Sequence, residues 1–597
     1  MTQTGAENVR WNLEDLYSSI ERLDDDLRLA EGDASAFREA YRGRMAELDG
    51  VGLAEALKQY ENLHDRLGRA YTYAYLWWST DTNQAERGAL LQRVREIYSS
   101  VSQQVLFLEV EWAKLEDERA DAALADPALA SYRHYLELQR VRKQYVLSEP
   151  EERILAEKSV TGWSAWNRYF DETLGARRYE LDGEQLAQQE ILSKLYDSDR
   201  DLRRRAALAF TEGLQRDLRS LTYVANTILA DKASDDRLRG YPGWLTSRNL
   251  DNEIGEEMVE ALIGAVTSRY DIVGRFYELK RRLLGYEVMY DYDRYAPIGE
   301  ADRPYDWDEA RQVVLDAYGD FHPRLSEIAG DFFDGAWIDA PVVPGKRGGA
   351  FSHGAVPSAH PYILMNFTGK IRDVQTLAHE LGHGVHQYLS RKQGVLQSDT
   401  PLTTAETASV FGEMLVFQRL LARESGPSVR LSMLVSKIDD SIATVFRQIA
   451  MNRYEDRIHS VRRGAGELTP DQFADHWMET QASMFQGSVQ LGDHYRNWWA
   501  YIPHFLHTPG YVYAYAFGEL LVLALYARYQ EEGHPFAEKY LQLLEAGGSD
   551  WPHVLVGRLG IHLTDLGFWK EGLRAIEVWI GQAEEIAGIL VDPARTL

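Results

Sequence analysis

Two histidines four residues apart with a glutamate beside the first, His379-Glu380-x-x-His383, form a pattern able to hold a divalent metal and work a water molecule against it. On a helix, positions i and i+4 project from one face. Both imidazoles can then reach a single Zn²⁺, with Glu380 beside the open coordination position as a general base. The helix is predicted independently of the motif, because Val374, Leu377, Ala378, Leu381 and Val385 recur at three- and four-residue spacing across Val374–Leu389. Three fixed positions in five also arise by chance. A third ligand, a transition-state donor and a substrate track must therefore be found.

The extended HExxHxxGxxH pattern fails, since His386 and Leu389 stand where its glycine and histidine would be. The third ligand must lie downstream. Glu406 follows His383 by 23 residues and sits in a run predicted as a second helix, 403–420, with Val410, Leu415 and Phe417 on its apolar side. A helix at that distance can fold back on the first. Glu406 would complete a His₂Glu site with one open position, and Glu413 could orient a ligand histidine. A lone glutamate on a helix is more often a solvated surface group, and only its place after HExxH argues otherwise.

The elements that must carry these residues read as mainly α. Long amphipathic helices are predicted from Trp11 to about Leu147, with the aromatics Tyr71, Tyr73, Tyr75, Trp77 and Trp78 assigned to their core. Ser148-Glu149-Pro150-Glu151 is a capping box that opens another helix. Arg178–Leu181 with Asp182-Gly183 reads as a short strand and turn, and Asp197-Ser198-Asp199 caps the next helix. A boundary is placed near residue 195, giving an N-terminal helical lobe (1–195) and a catalytic domain (196–597). Ala340–Asn366 is rich in Gly and Pro and ends in a short strand, Tyr362–Asn366. That strand could offer main-chain groups to an extended peptide or belong to a small buried sheet, with equal weight. Arg347, His353 and His360 lie near it as candidate peptide contacts, although lone loop residues are usually just solvated. Further on, Thr469-Pro470-Asp471-Gln472 is a second capping box.

Composition narrows the function. The chain has 597 residues and a net charge of −27, which leaves no basic excess for nucleic acid or an anionic membrane. The longest apolar run, near Leu520–Tyr526, is far short of the roughly 20 residues a membrane helix needs. With no cysteine, disulfides and thiolate metal sites are excluded. The first residues do not read as a secretion signal, so a cytoplasmic protein is expected. There is no GxxxxGK[ST], GxSxG or GxGxxG, so nucleotide binding and serine hydrolysis lack support.

At this point the chain resembles the oligoendopeptidase F branch of the thimet oligopeptidase family of zinc endopeptidases. The likeness is carried by Trp11–Tyr17, Thr161–Trp166, Gly345–Phe351, the run His360–Leu389, Val445–Gln448, and Pro503–Phe505 with Tyr511–Ala516. It implies a mainly helical, two-lobed metallopeptidase with a deep central cleft and a small sheet near the zinc site, acting on short oligopeptides. It makes His379, His383 and Glu406 the ligands of one Zn²⁺ per chain, with Glu380 the base toward zinc-bound water. It also turns Ile502–Leu521 into a tyrosine-rich loop whose donors hold the oxyanion, although on their own its tyrosines read as core. His504 and Tyr511 match that role best, and Tyr515 lies one turn on. Gly518 stands where relatives carry a further tyrosine, which leaves the essential donor open.

Two rivals remain at this stage. An exopeptidase needs a fixed partner for a substrate terminus, and no GxMEN-type motif is present. A binding protein with purely structural zinc would have a closed and usually cysteine-rich site. The cleavage preference and oligomeric state are not legible.

Overall fold

The computed structural model describes residues 4–299 and 303–591. Among the described residues helices dominate, with two small sheets. Among the described residues no helix is long and apolar enough to cross a membrane. The chain divides into two compact units, each assembled from three separate stretches.

The first unit comprises Met1–Gln144, Asp302–Ala422 and Arg528–Ile561. Helices Ile20–Tyr41, Gly50–Thr80 and Ala85–Val105 pack side by side because each presents apolar residues at helical spacing: Leu23, Leu27 and Ala30 on the first, Leu53, Leu57 and Leu67 on the second, Leu90, Leu91 and Val94 on the third. Asp49 starts the second of these by accepting the Gly52 N–H at 2.8 Å. Tyr71, Tyr73, Tyr75, Trp77 and Trp78 pack partly buried against this core, as expected.

A three-stranded sheet follows in the same unit. Tyr362–Leu364 is its central strand, parallel to Ile338–Asp339 and antiparallel to Phe351–His353. Two readings of this strand were open, a substrate strand and a small buried sheet, and its position decides between them. Tyr362, Ile363 and Leu364 are fully buried, and the Ile363 and Met365 N–H groups donate to Trp337 and Asp339 carbonyls at 2.9 Å. The small buried sheet is the reading that fits, and the edge belongs to Phe351–His353. The Gly-rich loop before that edge is fixed by Lys346, whose buried Nζ donates to Asp339 Oδ1 (2.6 Å) and to the Met365 (2.7 Å) and Pro341 (2.9 Å) carbonyls. Asn366 Nδ2 holds the same loop through the Gly349 carbonyl at 2.9 Å.

The second unit comprises Tyr145–Ala301, Arg423–Ala527 and His562–Leu597. The expected boundary near residue 195 lies inside it. There the hairpin Tyr179–Leu181/Glu184–Leu186 packs on helix Arg200–Arg239, with the Tyr179 and Phe210 rings 5.1 Å apart. The hairpin turn is Asp182-Gly183, both at positive φ, as its sequence predicted. Both capping boxes form, at Ser148/Glu151 and Thr469/Gln472. Its core is aromatic, around the buried Phe473, Trp477, Tyr495 and Trp498.

Candidate active site

The motif helix spans Ile371–Ser390. Asp373 starts it by accepting the Thr368 (2.7 Å) and Lys370 (3.1 Å) N–H groups. Val374, Leu377, Ala378, Leu381 and Val385 are all buried, so the predicted stripe is its core face. His379 and His383 leave the opposite side one turn apart, with ring centroids 5.0 Å from each other.

The second helix departs from expectation at the residue that matters. A short turn, Leu402–Ala405, ends at Glu406, and the helix resumes only at Ser409–Arg423. Glu406 therefore sits in a break, not on a continuous helix 403–420. Tyr540 Oη secures the break by donating to the Thr407 carbonyl at 2.9 Å, and Ser409 Oγ donates to Glu406 Oε2 at 2.7 Å. The break lets the chain press against the motif helix at Gly382, where an added Cβ would meet the Ala408 carbonyl oxygen at 2.4 Å. From there Glu406 Oε2 lies 3.4 Å from both His379 Nε2 and His383 Nε2.

Those separations suit a tetrahedral metal. Ligands at about 2.0–2.1 Å from zinc stand about 3.4 Å from one another. Among the described residues this triad is the one group of three such side chains able to hold a metal ion, its donor atoms within 4.8 Å of one another. Glu413 Oε2 lies 3.5 Å from His379 Nδ1, the ring nitrogen that faces away from Glu406.

Electrostatics agrees with the geometry. Burial alone would lower the His379 pKa, but Glu413, Glu406 and Glu380 together hold it above its usual value. Burial would raise Glu406, yet its contacts with His383 and His379 and the Ser409 hydroxyl bring it down to about 2. Glu380 is raised, by burial first, against the pull of the two histidines and the Ser352 N–H that its carboxylate accepts. A buried carboxylate whose pKa is raised by its surroundings is suited to taking and returning a proton.

Ser352, which sequence reasoning missed, is the middle residue of the edge strand Phe351–His353, and its hydroxyl also bonds Gln387 on the motif helix at 2.8 Å. A cavity of about 580 Å³ lies along this strand and is lined by Phe351, Ser352, His379, Glu380, His383 and neighbours. The other loop candidates are occupied elsewhere. Arg347 covers the Tyr75 and Phe351 rings, His353 packs on Tyr75, and His360 stacks 4.0 Å from Trp337 and reaches Asp15 at 3.2 Å.

In the second unit the structure brings His504, Tyr511 and Tyr515 together. His504 Nε2 is 3.2 Å from Tyr515 Oη, and the Tyr511 and Tyr515 rings are 5.0 Å apart. Burial, with His507 nearby, lowers the His504 pKa. Their loop is anchored by Glu455, which accepts the Gly510 N–H at 2.8 Å, and by Tyr513, whose hydroxyl bonds Asn249 and Asn252, each at 2.8 Å.

A helical fold with two histidines and a glutamate converging on one point beside a buried carboxylate defines a metallopeptidase. The chain belongs to peptidase family M3, whose model matches residues 193–575, while the oligopeptidase F model matches 111–179. Oligopeptidase PepF of Bacillus subtilis is 27% identical over 96% of this chain and 87% of its own length. Two solved structures share the fold, each 23% identical. One, from Chlamydophila abortus, covers 97% of this chain and 98% of its own at a TM-score of 0.88, and the oligoendopeptidase F of Enterococcus faecium covers 95% and 99% at 0.70. The enzyme is a metallo-endopeptidase of the oligoendopeptidase F type.

Proposed function

We propose that this enzyme hydrolyses internal bonds of short oligopeptides with one Zn²⁺ held by His379, His383 and Glu406 and with Glu380 as general base. A zinc ion in such a site polarises the scissile carbonyl and makes water a stronger acid. The chain's own residues supply the rest. Glu380 accepts the proton of the attacking water and returns it to the leaving amine. Glu413 fixes the His379 ring by its Nδ1 side, keeping Nε2 turned toward Glu406. The edge strand Phe351–His353 binds the peptide main chain by strand addition, which accepts many sequences. The oxyanion-donor role proposed for His504, Tyr511 and Tyr515 rests on the resemblance of their segment to the family's tyrosine-rich loop.

The observation that carries this reading is the position of Glu406 Oε2, 3.4 Å from both histidine nitrogens, with Glu380 adjacent in sequence to the first. The test is cleavage of an internally quenched peptide blocked at both ends, comparing wild type with Glu380→Gln and measuring zinc in each. Cleavage by wild type, and zinc retained with activity lost in the variant, is the expected result. Wild-type enzyme that holds zinc yet cleaves unblocked peptides alone would instead be an exopeptidase.

A further inference from the structure

The cavity beside the motif helix carries a carboxylate that the reaction does not use. Asp399 lines it together with Ser352, His379, Glu380 and His383. Its carboxylate has no ion pair and no side-chain hydrogen bond among the described residues. The side chain is open to solvent, yet protein surrounds it closely enough that burial raises its pKa above the ordinary carboxylate range. Tyr98, on helix Ala85–Val105, is raised as well, by burial first and then by the Asp399 charge.

The backbone that presents this carboxylate is gripped from both sides. The Gln397 side chain accepts the Tyr135 N–H at 3.1 Å and donates to the Ser131 carbonyl at 2.5 Å. The Gly548 N–H donates to the Gln397 carbonyl at 2.9 Å. An added Cβ at Gly548 would lie 2.1 Å from the Asp399 carbonyl oxygen, so the turn Gly547-Gly548 presses directly on the loop. The supported backbone holds this solvent-open carboxylate in place at the cavity wall, an arrangement suited to a preorganised recognition group.

We propose that Asp399 is a specificity-determining residue that receives a cationic group of the peptide, an ammonium or a guanidinium. This rests on the endopeptidase reading above and deepens it. The shared chemistry has two sources, the peptide's own α-amine or a Lys or Arg side chain. A guanidinium would add two parallel hydrogen bonds to the charge contact.

Two peptide series distinguish these sources. One moves a single Arg through each position of an internally quenched peptide and compares it with citrulline, which has the same shape without the charge. The other compares free and acetylated amino termini. In wild type, kcat/KM should favour Arg over citrulline at one position, or free over acetylated amine, by at least tenfold. In Asp399→Asn that ratio should fall toward one, through KM. The same peptides are also titrated against Glu380→Gln, with and without Asp399→Asn, by fluorescence anisotropy. A cation preference in binding that depends on Asp399 supports the proposal even where no peptide is cleaved, an outcome that would sink the endopeptidase reading alone. Equal ratios with Asp and Asn at every position, in both assays, overturn the proposal.

Discussion

A Cβ placed on Gly382 would stand 2.4 Å from the Ala408 carbonyl oxygen and 2.6 Å from the Ser409 Cα. The chain that follows Glu406 thus rests on bare helix backbone, and the glycine sets how near Glu406 comes to the histidines. In an unconstrained helix Gly→Ala would gain about 1 kcal/mol. Here the contact is with main chain, which has no rotamer to change, and overpacking costs about 1–3 kcal/mol. Gly382→Ala should lower the Tm and weaken zinc binding by more than tenfold, read by thermal unfolding and competitive zinc titration. A more stable variant with unaltered zinc affinity would mean the approach is not needed.

Glu413 acts on the metal site through His379. Its Oε2 is 3.5 Å from the ring Nδ1, and it contributes to holding the His379 pKa above the usual value against burial. Removing such a partner typically costs 10–100-fold in metal affinity or activity. Glu413→Ala should bind one zinc at saturating metal but release it to a chelator about tenfold or more faster than wild type. Loss of the metal at every concentration would instead make Glu413 a ligand.

Lys346 has a structural role with a functional consequence. Both Lys346 and Asp339 are buried, and among the described residues the other cation beside Asp339 is Arg10, at 3.4 Å and partly exposed. Lys346→Met leaves that carboxylate poorly compensated, at a cost on the order of 3–5 kcal/mol. It also frees the loop that leads into the edge strand. Unfolding in urea should show the loss of stability, and KM for peptides should rise more than kcat falls. The double variant Lys346→Met/Asp339→Leu should recover much of the stability, because no buried charge is then left alone.

The motif helix, the stripe beneath it, both capping boxes and the Asp182-Gly183 turn were legible in the sequence because each rests on contacts within a few residues. Glu406 was legible as a residue but not in its setting. The break at 406–408 is imposed by Tyr540, more than a hundred residues away in sequence, and by Gly382 on another helix. Glycines inside a helical pattern usually have a packing reason, so Gly382 was the one local signal that could have pointed to a close approach. The role of the strand at Tyr362–Asn366 stayed open between two readings, and the edge strand went unread, for a similar reason. Tyr362–Leu364 has the stronger apolar pattern because it is central, whereas Phe351–His353, half-buried and next to glycines, is the edge strand. The interleaving of three stretches in each unit is likewise set by long-range packing, which periodicity does not report.

Glu455 links pH to the loop that carries Tyr511. It is fully buried and accepts the Gly510 N–H at 2.8 Å, and Gly510, at φ +77°, immediately precedes Tyr511. Burial raises its pKa to about 8, with the Gly510 bond and Arg248 offsetting only part of the effect. The folded protein therefore holds a proton that the unfolded chain, near its ordinary value of 4.5, has already released. Stability from the protonated group is fully present below about 4.5 and is lost as pH rises to about 8, on the order of 5 kcal/mol in all. Glu455→Gln keeps an acceptor for Gly510 and removes the ionisation. Wild-type Tm should therefore fall relative to the variant between about pH 5 and pH 8, then run parallel to it. The same variant should keep peptidase activity at pH 8 with a flatter alkaline limb. A Tm difference that does not change with pH would show that Glu455 ionises in the folded protein as readily as in the unfolded chain, and the loop would then have no proton-dependent anchor.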